Sequence, residues 1–303
     1  MKRILKVIAM TVSVTLLLVV LKNQYGSIFS GKTYGIPAAL SMGEVDHLFL
    51  GSSMFRQGLD IDVLEEELEG SVYILSYNGN QPSFMAKELA YMLERGLKVK
   101  NLYVDFYAYT ACASPWVSDV KMFLDTDLSF KADAWRVLDE NNVTKMHDFY
   151  EMFVTANNEQ ILMFPLNDRL VSSQFRNGGS LLEPYGNSKE VLDEMDLGVR
   201  EGLHAGQMEG YEEILHLAEQ YGIQLLFLET PKYEKLIMDT REGGYPQLLE
   251  EMTAWAEAAG VPYLLADTFN FDHSDGANFQ DLIHLSAQGR KTYCKDLTDY
   301  IGK

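Results

Sequence analysis

The sequence predicts an α/β fold with a central parallel five-stranded sheet flanked by helices, a mainly helical insertion after the third strand and a transmembrane helix at the N-terminus. Three observations carry that prediction. From Glu44 onward, short apolar runs alternate with longer amphipathic ones, as strands buried on both faces alternate with the helices that cover them. The alternation breaks once, over residues 110–200, where aromatics and acids replace it. Ahead of both lies a long apolar stretch behind a basic start.

That first segment, MKRILKVIAMTVSVTLLLVVLKNQYG, places Lys2, Arg3 and Lys6 before a charge-free run from Val7 to Leu21 that stops at Lys22. Counting Ile4 and Leu5, the run is about long enough to span a bilayer core, and the basic flank predicts a cytoplasmic N-terminus with the remainder outside. No small-x-small cleavage pattern and no lipobox cysteine follows Lys22. Residues 1–23 are therefore expected to persist as a single-pass membrane anchor.

The domain proper is expected over 44–303. Its first strand is DHLFLG (46–51), followed by a helical segment at 60–68; SVYILS (71–76) is followed by a helix at 83–95, and NLYVDFY (101–107) is the third strand. The insertion, 110–200, contains the helical stretches SFKADAWRVLDE and KMHDFYEMFVTANNEQ, and is expected to cap the C-terminal edge of the sheet, where α/β proteins bind ligands. A helix at 207–221 then leads into IQLLFLET (223–230), a helix at 248–259 into VPYLLAD (261–267), and a last helix covers 286–301. Nothing repeats internally.

At 303 residues and 47% hydrophobic, the chain has enough apolar material for a sizeable core. Its formal charge of -19 argues against nucleic acid as a partner, because a phosphate backbone is held by clustered Lys and Arg. Two cysteines, Cys112 and Cys294, are open to two readings, a disulfide or two separate thiols. Neither they nor the cluster Asp272, His273 and Asp275 match a metal-ligand spacing, so no cofactor is expected.

Two segments carry chemistry. In LFLGSSMFRQG, Gly51, Ser52 and Ser53 leave the first strand, where a glycine permits a tight turn and a following serine exposes both its hydroxyl and its own N–H. In DLIHLSAQGRKTYC, Asp281 and His284 stand three residues apart just ahead of the last helix. A lone D-x-x-H says little in a chain with six histidines. A parallel sheet, however, puts its strand ends on one side, so both segments can converge there. In that geometry Ser53 is the nucleophile, His284 its base and Asp281 the group that orients the imidazole.

GSS at the first turn and D-x-x-H before the last helix resemble the first and fifth blocks of the SGNH, or GDSL, hydrolase superfamily. The resemblance runs from about residue 45 to the end, insertion excluded. It implies a flavodoxin-like three-layer sandwich and an esterase, lipase, thioesterase or acyltransferase working through a serine acyl-enzyme. The family's GDS falls on Gly51-Ser52-Ser53, which assigns the nucleophile to Ser53. The apolar N-terminus, the GSS variant and HLSAQGR are similar to a membrane-anchored branch related to the D-alanyl transfer protein of lipoteichoic acid modification and to acetylating proteins of exported polysaccharides. That branch implies an extracytoplasmic protein that moves a small acyl group from an acyl ester to or from a cell-envelope polymer, beside a membrane-bound O-acyltransferase.

Two departures from the family pattern stand out. The second block's glycine is matched only by Gly79, with Asn80 and Gln81 beside it as candidate oxyanion or substrate-binding groups, and the third strand runs VDFYAYTAC without the asparagine of block three. These departures keep an alternative in view, a catalytically idle SGNH-fold accessory protein of an envelope-polymer acylation or export complex. Arg56 is a candidate to hold an anionic group or to support the turn, and Asp105 is either a site carboxylate or a hydrogen-bonded strand-end acid.

Overall fold

β1 (Glu44–Gly51), β2 (Val72–Ser76) and β3 (Lys98–Asp105) form the first half of the sheet, and β6 (Gln224–Leu228) and β7 (Tyr263–Leu264) complete it. A separate hairpin pairs β4 (Phe175–Arg176) with β5 (Gly179–Ser180). The computed structural model describes residues 2–29, 34–123, 126–152 and 174–302, the side chains of 2, 18–29 and 120 excepted. The large sheet runs β2-β1-β3-β6-β7 with every pairing parallel. The chain moves outward from β1 to β2 and then crosses back to β3, so the direction of winding reverses between β1 and β3. In doubly wound sheets of this order, that reversal opens a crevice at the strand C-termini.

In chain order the helices are α1 (Lys2–Phe29), α2 (Ile36–Met42), α3 (Ser53–Gly58), α4 (Ile61–Glu67), α5 (Pro82–Glu94), α6 (Ala108–Ala111), α7 (Leu128–Glu140), α8 (Met146–Tyr150), α9 (Lys189–Glu194), α10 (Ala205–Tyr221), α11 (Glu234–Ile237), α12 (Tyr245–Ala259) and α13 (Ala287–Ile301). Side chains of one strand point alternately to the two faces of a sheet. Leu48 and Leu50 of β1 accordingly join a core with residues of α5, α7, α10 and α12, while Phe49 joins a second core with residues of α3, α4, α9 and α13. The result is three layers, with both sheet faces buried.

Three expectations need correction. The run 261–267 contributes only Tyr263–Leu264 to the sheet, because this edge strand has one neighbour and the chain turns into a 3-10 segment at Ala266. The insertion does not act as one cap. Its helix α7 lies against α5, with the Tyr91 and Phe130 rings 5.0 Å apart, and the β4–β5 hairpin lies along the free edge of β2, where Ile74 N–H donates to Asn177 O at 2.9 Å. Gly178 makes that approach possible, since a Cβ there would sit 1.9 Å from Ile74 O. The stretch around Trp116–Asp119 reaches the strand ends, through Gln81 Nε2 to Trp116 O at 3.0 Å and Asn78 N–H to Asp119 Oδ2 at 3.3 Å. Residues 124–125 and 153–173 of the insertion lie outside the described residues.

The third correction concerns the N-terminus. The backbone of residues 2–29 is helical, and the apolar side chains from Ile4 to Leu17 are exposed. Among the described residues, no helix is long and apolar enough to cross a membrane. The remainder of the expected span, 18–21, lies outside the described side chains.

Candidate functional site

The turn after β1 separates its two serines. Gly51 ends the strand so close to its surroundings that a Cβ would lie 2.7 Å from the Phe55 ring and 2.9 Å from Asp105 Cβ. Ser52 caps α3, its Oγ accepting the Met54 N–H at 3.1 Å, and it is turned into the protein. Both its N–H (3.0 Å) and its hydroxyl (2.5 Å) donate to Asp105 Oδ2 at the end of β3. Ser53 is the first residue of α3, and its Oγ lies 2.9 Å from His284 Nε2. Its N–H has no hydrogen-bond partner among the described residues, as expected for the first turn of a helix.

The D-x-x-H spacing builds a closed loop. Asp281 Oδ1 accepts the N–H groups of Ile283 (2.9 Å) and His284 (2.8 Å), while Oδ2 lies 2.7 Å from His284 Nδ1. One carboxylate thus folds the loop with one oxygen and holds the imidazole with the other. The loop is fixed further by Gln280 N–H to His284 O (2.8 Å), by Tyr233 N–H to Leu282 O (3.0 Å), and by Ser286, which caps α13 through Gly289 N–H (3.1 Å). Because the carboxylate only accepts, Nδ1 carries the imidazole proton and Nε2 presents its lone pair to the Ser53 hydroxyl. Burial works to raise the Asp281 carboxyl, but the His284 contact and the two backbone N–H groups outweigh it and hold it below the usual carboxylate value.

The residues expected to bind an oxyanion or substrate divide differently. Asn80 and Gln81 are fully buried and their carboxamides serve the fold, a correction to their expected role. Asn80 Nδ2 donates to Glu88 Oε2 (2.9 Å) and Gly51 O (3.4 Å); Gln81 bonds Trp116 O (3.0 Å) and Gln207 Nε2 (2.8 Å). Gly79 occupies the turn with φ +61°, and its N–H, like that of Ser53, has no partner among the described residues. Arg56 supports the turn: its guanidinium lies 5.3 Å and 4.9 Å from the centroids of the Tyr34 and Phe175 rings and donates to Asn78 Oδ1 at 2.8 Å and to Tyr34 OH at 3.1 Å. Asp105 is the strand-end acid that holds Ser52.

Sequence reasoning missed Asn78. It is the exposed asparagine of the turn, and with its Oδ1 held by Arg56 its Nδ2 has no partner among the described residues. No spacing rule separates Asn78 from Asn80 within YNGN; the turn and Arg56 do. Also unforeseen is a cavity of about 310 Å³ beside the D-x-x-H loop, lined by Leu282, Met195, Leu236, Met238 and the Asp196–Arg241 ion pair. Cys112 and Cys294 are both free thiols. Cys294 is buried in α13, its Sγ 3.0 Å from the Asp60 N–H.

Fold and site together define a doubly wound α/β protein with a serine, a histidine and an aspartate linked in series at the C-terminal edge of its sheet. Such a series can draw the proton from the serine hydroxyl as that oxygen attacks an electrophile. No family model and no curated protein matches the sequence. Among solved structures, the chain is similar to a Streptococcus pneumoniae protein provisionally named a platelet activating factor, at 12% identity over 97% of this chain and 99% of that one, with a TM-score of 0.42. It is similar to a Bacteroides fragilis protein provisionally named an acylhydrolase, at 9% identity over 86% of each chain and a TM-score of 0.38. A GDSL-like lipase from Bacteroides thetaiotaomicron is also similar, at 9% identity over 86% of this chain and 88% of that one, with a TM-score of 0.38. With identities and TM-scores this low, the functional reading rests on the chain's own geometry.

Proposed function

We propose that this protein is an SGNH-type serine esterase or O-acyltransferase that works through an acyl-enzyme on Ser53. The observation that carries the reading is the pair of contacts in series, Ser53 Oγ to His284 Nε2 at 2.9 Å and His284 Nδ1 to Asp281 Oδ2 at 2.7 Å. Ser53 Oγ attacks the ester carbonyl while His284 takes its proton, and Asp281 stabilises the imidazolium that forms. The N–H groups of Ser53 and Gly79 and the Asn78 carboxamide are the candidate donors to the oxyanion, each such donor typically being worth about 3 kcal/mol of barrier. His284 returns the proton to the leaving alcohol, leaving Ser53 acylated. Water or an acceptor hydroxyl then attacks that acyl group, His284 takes its proton in turn, and Ser53 is released.

The finer reading is transfer of a small acyl group between an acyl ester and a cell-envelope polymer, outside the membrane and beside a membrane-bound O-acyltransferase. Its supports are the basic flank and apolar run of residues 1–23, the exposed apolar side chains from Ile4 to Leu17, and the resemblance to the anchored branch. The idle accessory reading draws on the absence of an asparagine after β3 and on the atypical second block at Gly79.

One experiment separates the two. The full-length protein is treated with a fluorophosphonate probe and assayed on a short-chain nitrophenyl ester, with Ser53→Ala and His284→Ala alongside. Labelling and turnover present in the wild type and lost in both variants are expected. A folded wild-type protein that is neither labelled nor active would overturn the enzyme in favour of the accessory protein.

A further inference from the structure

Glu88 lies in α5 with no exposed surface, behind the turn that carries Asn78 and Gly79. Its Oε2 accepts from Asn80 Nδ2 at 2.9 Å, and its Oε1 has no hydrogen-bond partner among the described residues. The same Asn80 nitrogen reaches Gly51 O at 3.4 Å, the last carbonyl of β1 before Ser52 and Ser53, and Asn80 Oδ1 accepts the Gln81 N–H at 3.0 Å. One carboxamide therefore ties α5, the 77–81 turn and the end of the nucleophile's strand together, and its hold on α5 is a single carboxyl oxygen.

The protonation state of that carboxyl follows from its surroundings. Among the described residues, the titratable groups coupled to it are Asp119 from the insertion, whose negative charge disfavours ionisation, and the phenols of Tyr34 ahead of α2 and Tyr77 in the turn, with no cation among them. Burial pushes Glu88 up to about 8, with the Asn80 hydrogen bond opposing. It is uncharged at neutral pH. An ionised Glu88 would be a dry carboxylate with one hydrogen bond, which the fold relieves only by opening toward water.

We propose that Glu88 is a positioning residue: its neutral carboxyl holds Asn80, and through it the Asn78–Gly79 turn, against the end of β1, so that ionising Glu88 displaces the turn from Ser53 and lowers acyl transfer. This rests on the acyl-enzyme reading, whose oxyanion donors the turn supplies.

The test measures fluorophosphonate labelling, ester turnover and melting temperature on the full-length protein from pH 5 to 9.5, for the wild type, Glu88→Gln and Glu88→Ala. Glutamine reproduces the shape and neutrality of the protonated acid. Expected is a wild-type turnover that falls above about pH 8, by roughly tenfold or more at pH 9.5, a Glu88→Gln variant close to the wild type at pH 6.5 that lacks this fall, and a Glu88→Ala variant impaired throughout. An alkaline fall shared unchanged by Glu88→Gln would overturn the proposal, as would a Glu88→Ala variant with wild-type turnover.

The melting series does not depend on activity. An acid whose folded value is raised binds its proton more tightly folded than unfolded, so wild-type stability declines as pH rises from about 4.5 to about 8 and levels off above. The wild-type melting temperature should therefore fall relative to Glu88→Gln across that window. No such divergence would overturn the buried neutral carboxyl, enzyme or not. A clear divergence in a protein unlabelled at every pH would instead overturn the acyl-enzyme reading and the coupling of Glu88 to Ser53.

Discussion

Ser52 and Ser53 carry the same side chain, yet one is buried structure and the other faces a histidine. Asp105 makes the difference by accepting both the N–H and the hydroxyl of Ser52. Burial raises the Asp105 carboxyl, and the Ser52 donors offset part of that. Ser52→Ala removes a helix cap and a donor to a buried acid, so a loss of about 1–3 kcal/mol is expected in urea denaturation, with slower probe labelling because the turn under Ser53 loosens. Gly51→Ala should cost a similar amount, about 1–3 kcal/mol, since its methyl group would press on the Phe55 ring. Asp281→Asn should fold normally and lower ester turnover on the order of 10⁴-fold, because the imidazole then loses the carboxylate that sets its tautomer. The meeting of Ser53, His284 and Asp281 was legible because it follows from residue type and strand-end position. The placing of Asn78 and Asn80 was not, because a turn decides which of two like side chains faces outward.

The elements show the same division. Both-face burial makes a strand read as an apolar run, which is why β1, β2, β3 and β6 were legible and their ends shifted by only a few residues. β7 reads equally apolar yet pairs over two residues, since pairing at a sheet edge depends on a single neighbour. α13 docks through a contact no periodicity reveals. Arg290 Nε lies 3.1 Å from Asp60 Oδ2, both side chains almost without exposed surface, while Asp60 Oδ1 caps α4. Arg290→Ala strands that carboxylate. A loss of about 3–5 kcal/mol is expected in urea denaturation, because the remaining charge stays buried without its partner.

Across the whole chain, a formal charge of -19 and an apolar N-terminal helix make opposite demands on a membrane surface. Anionic lipid repels most of the protein, so attachment through residues 1–23 would be apolar rather than ionic. If the anchored reading proposed above holds, the full-length protein should sediment with membranes, stay there through high salt and alkaline carbonate, and leave only with detergent. Release by salt alone would count against the anchor.

By itself the sequence determined the α/β class, the parallel sheet and the residue types at both strand-end loops, because burial periodicity and turn chemistry are local properties of a chain. The tertiary structure alone decided that Ser53 and His284, 231 residues apart, meet at 2.9 Å. It also decided that Asn80 and Gln81 turn inward, that Arg56 braces Asn78, and that Glu88 is buried with no counter-charge among the described residues. Those outcomes depend on strand order and on which neighbour satisfies each polar group. Both are set by contacts between segments far apart in the chain.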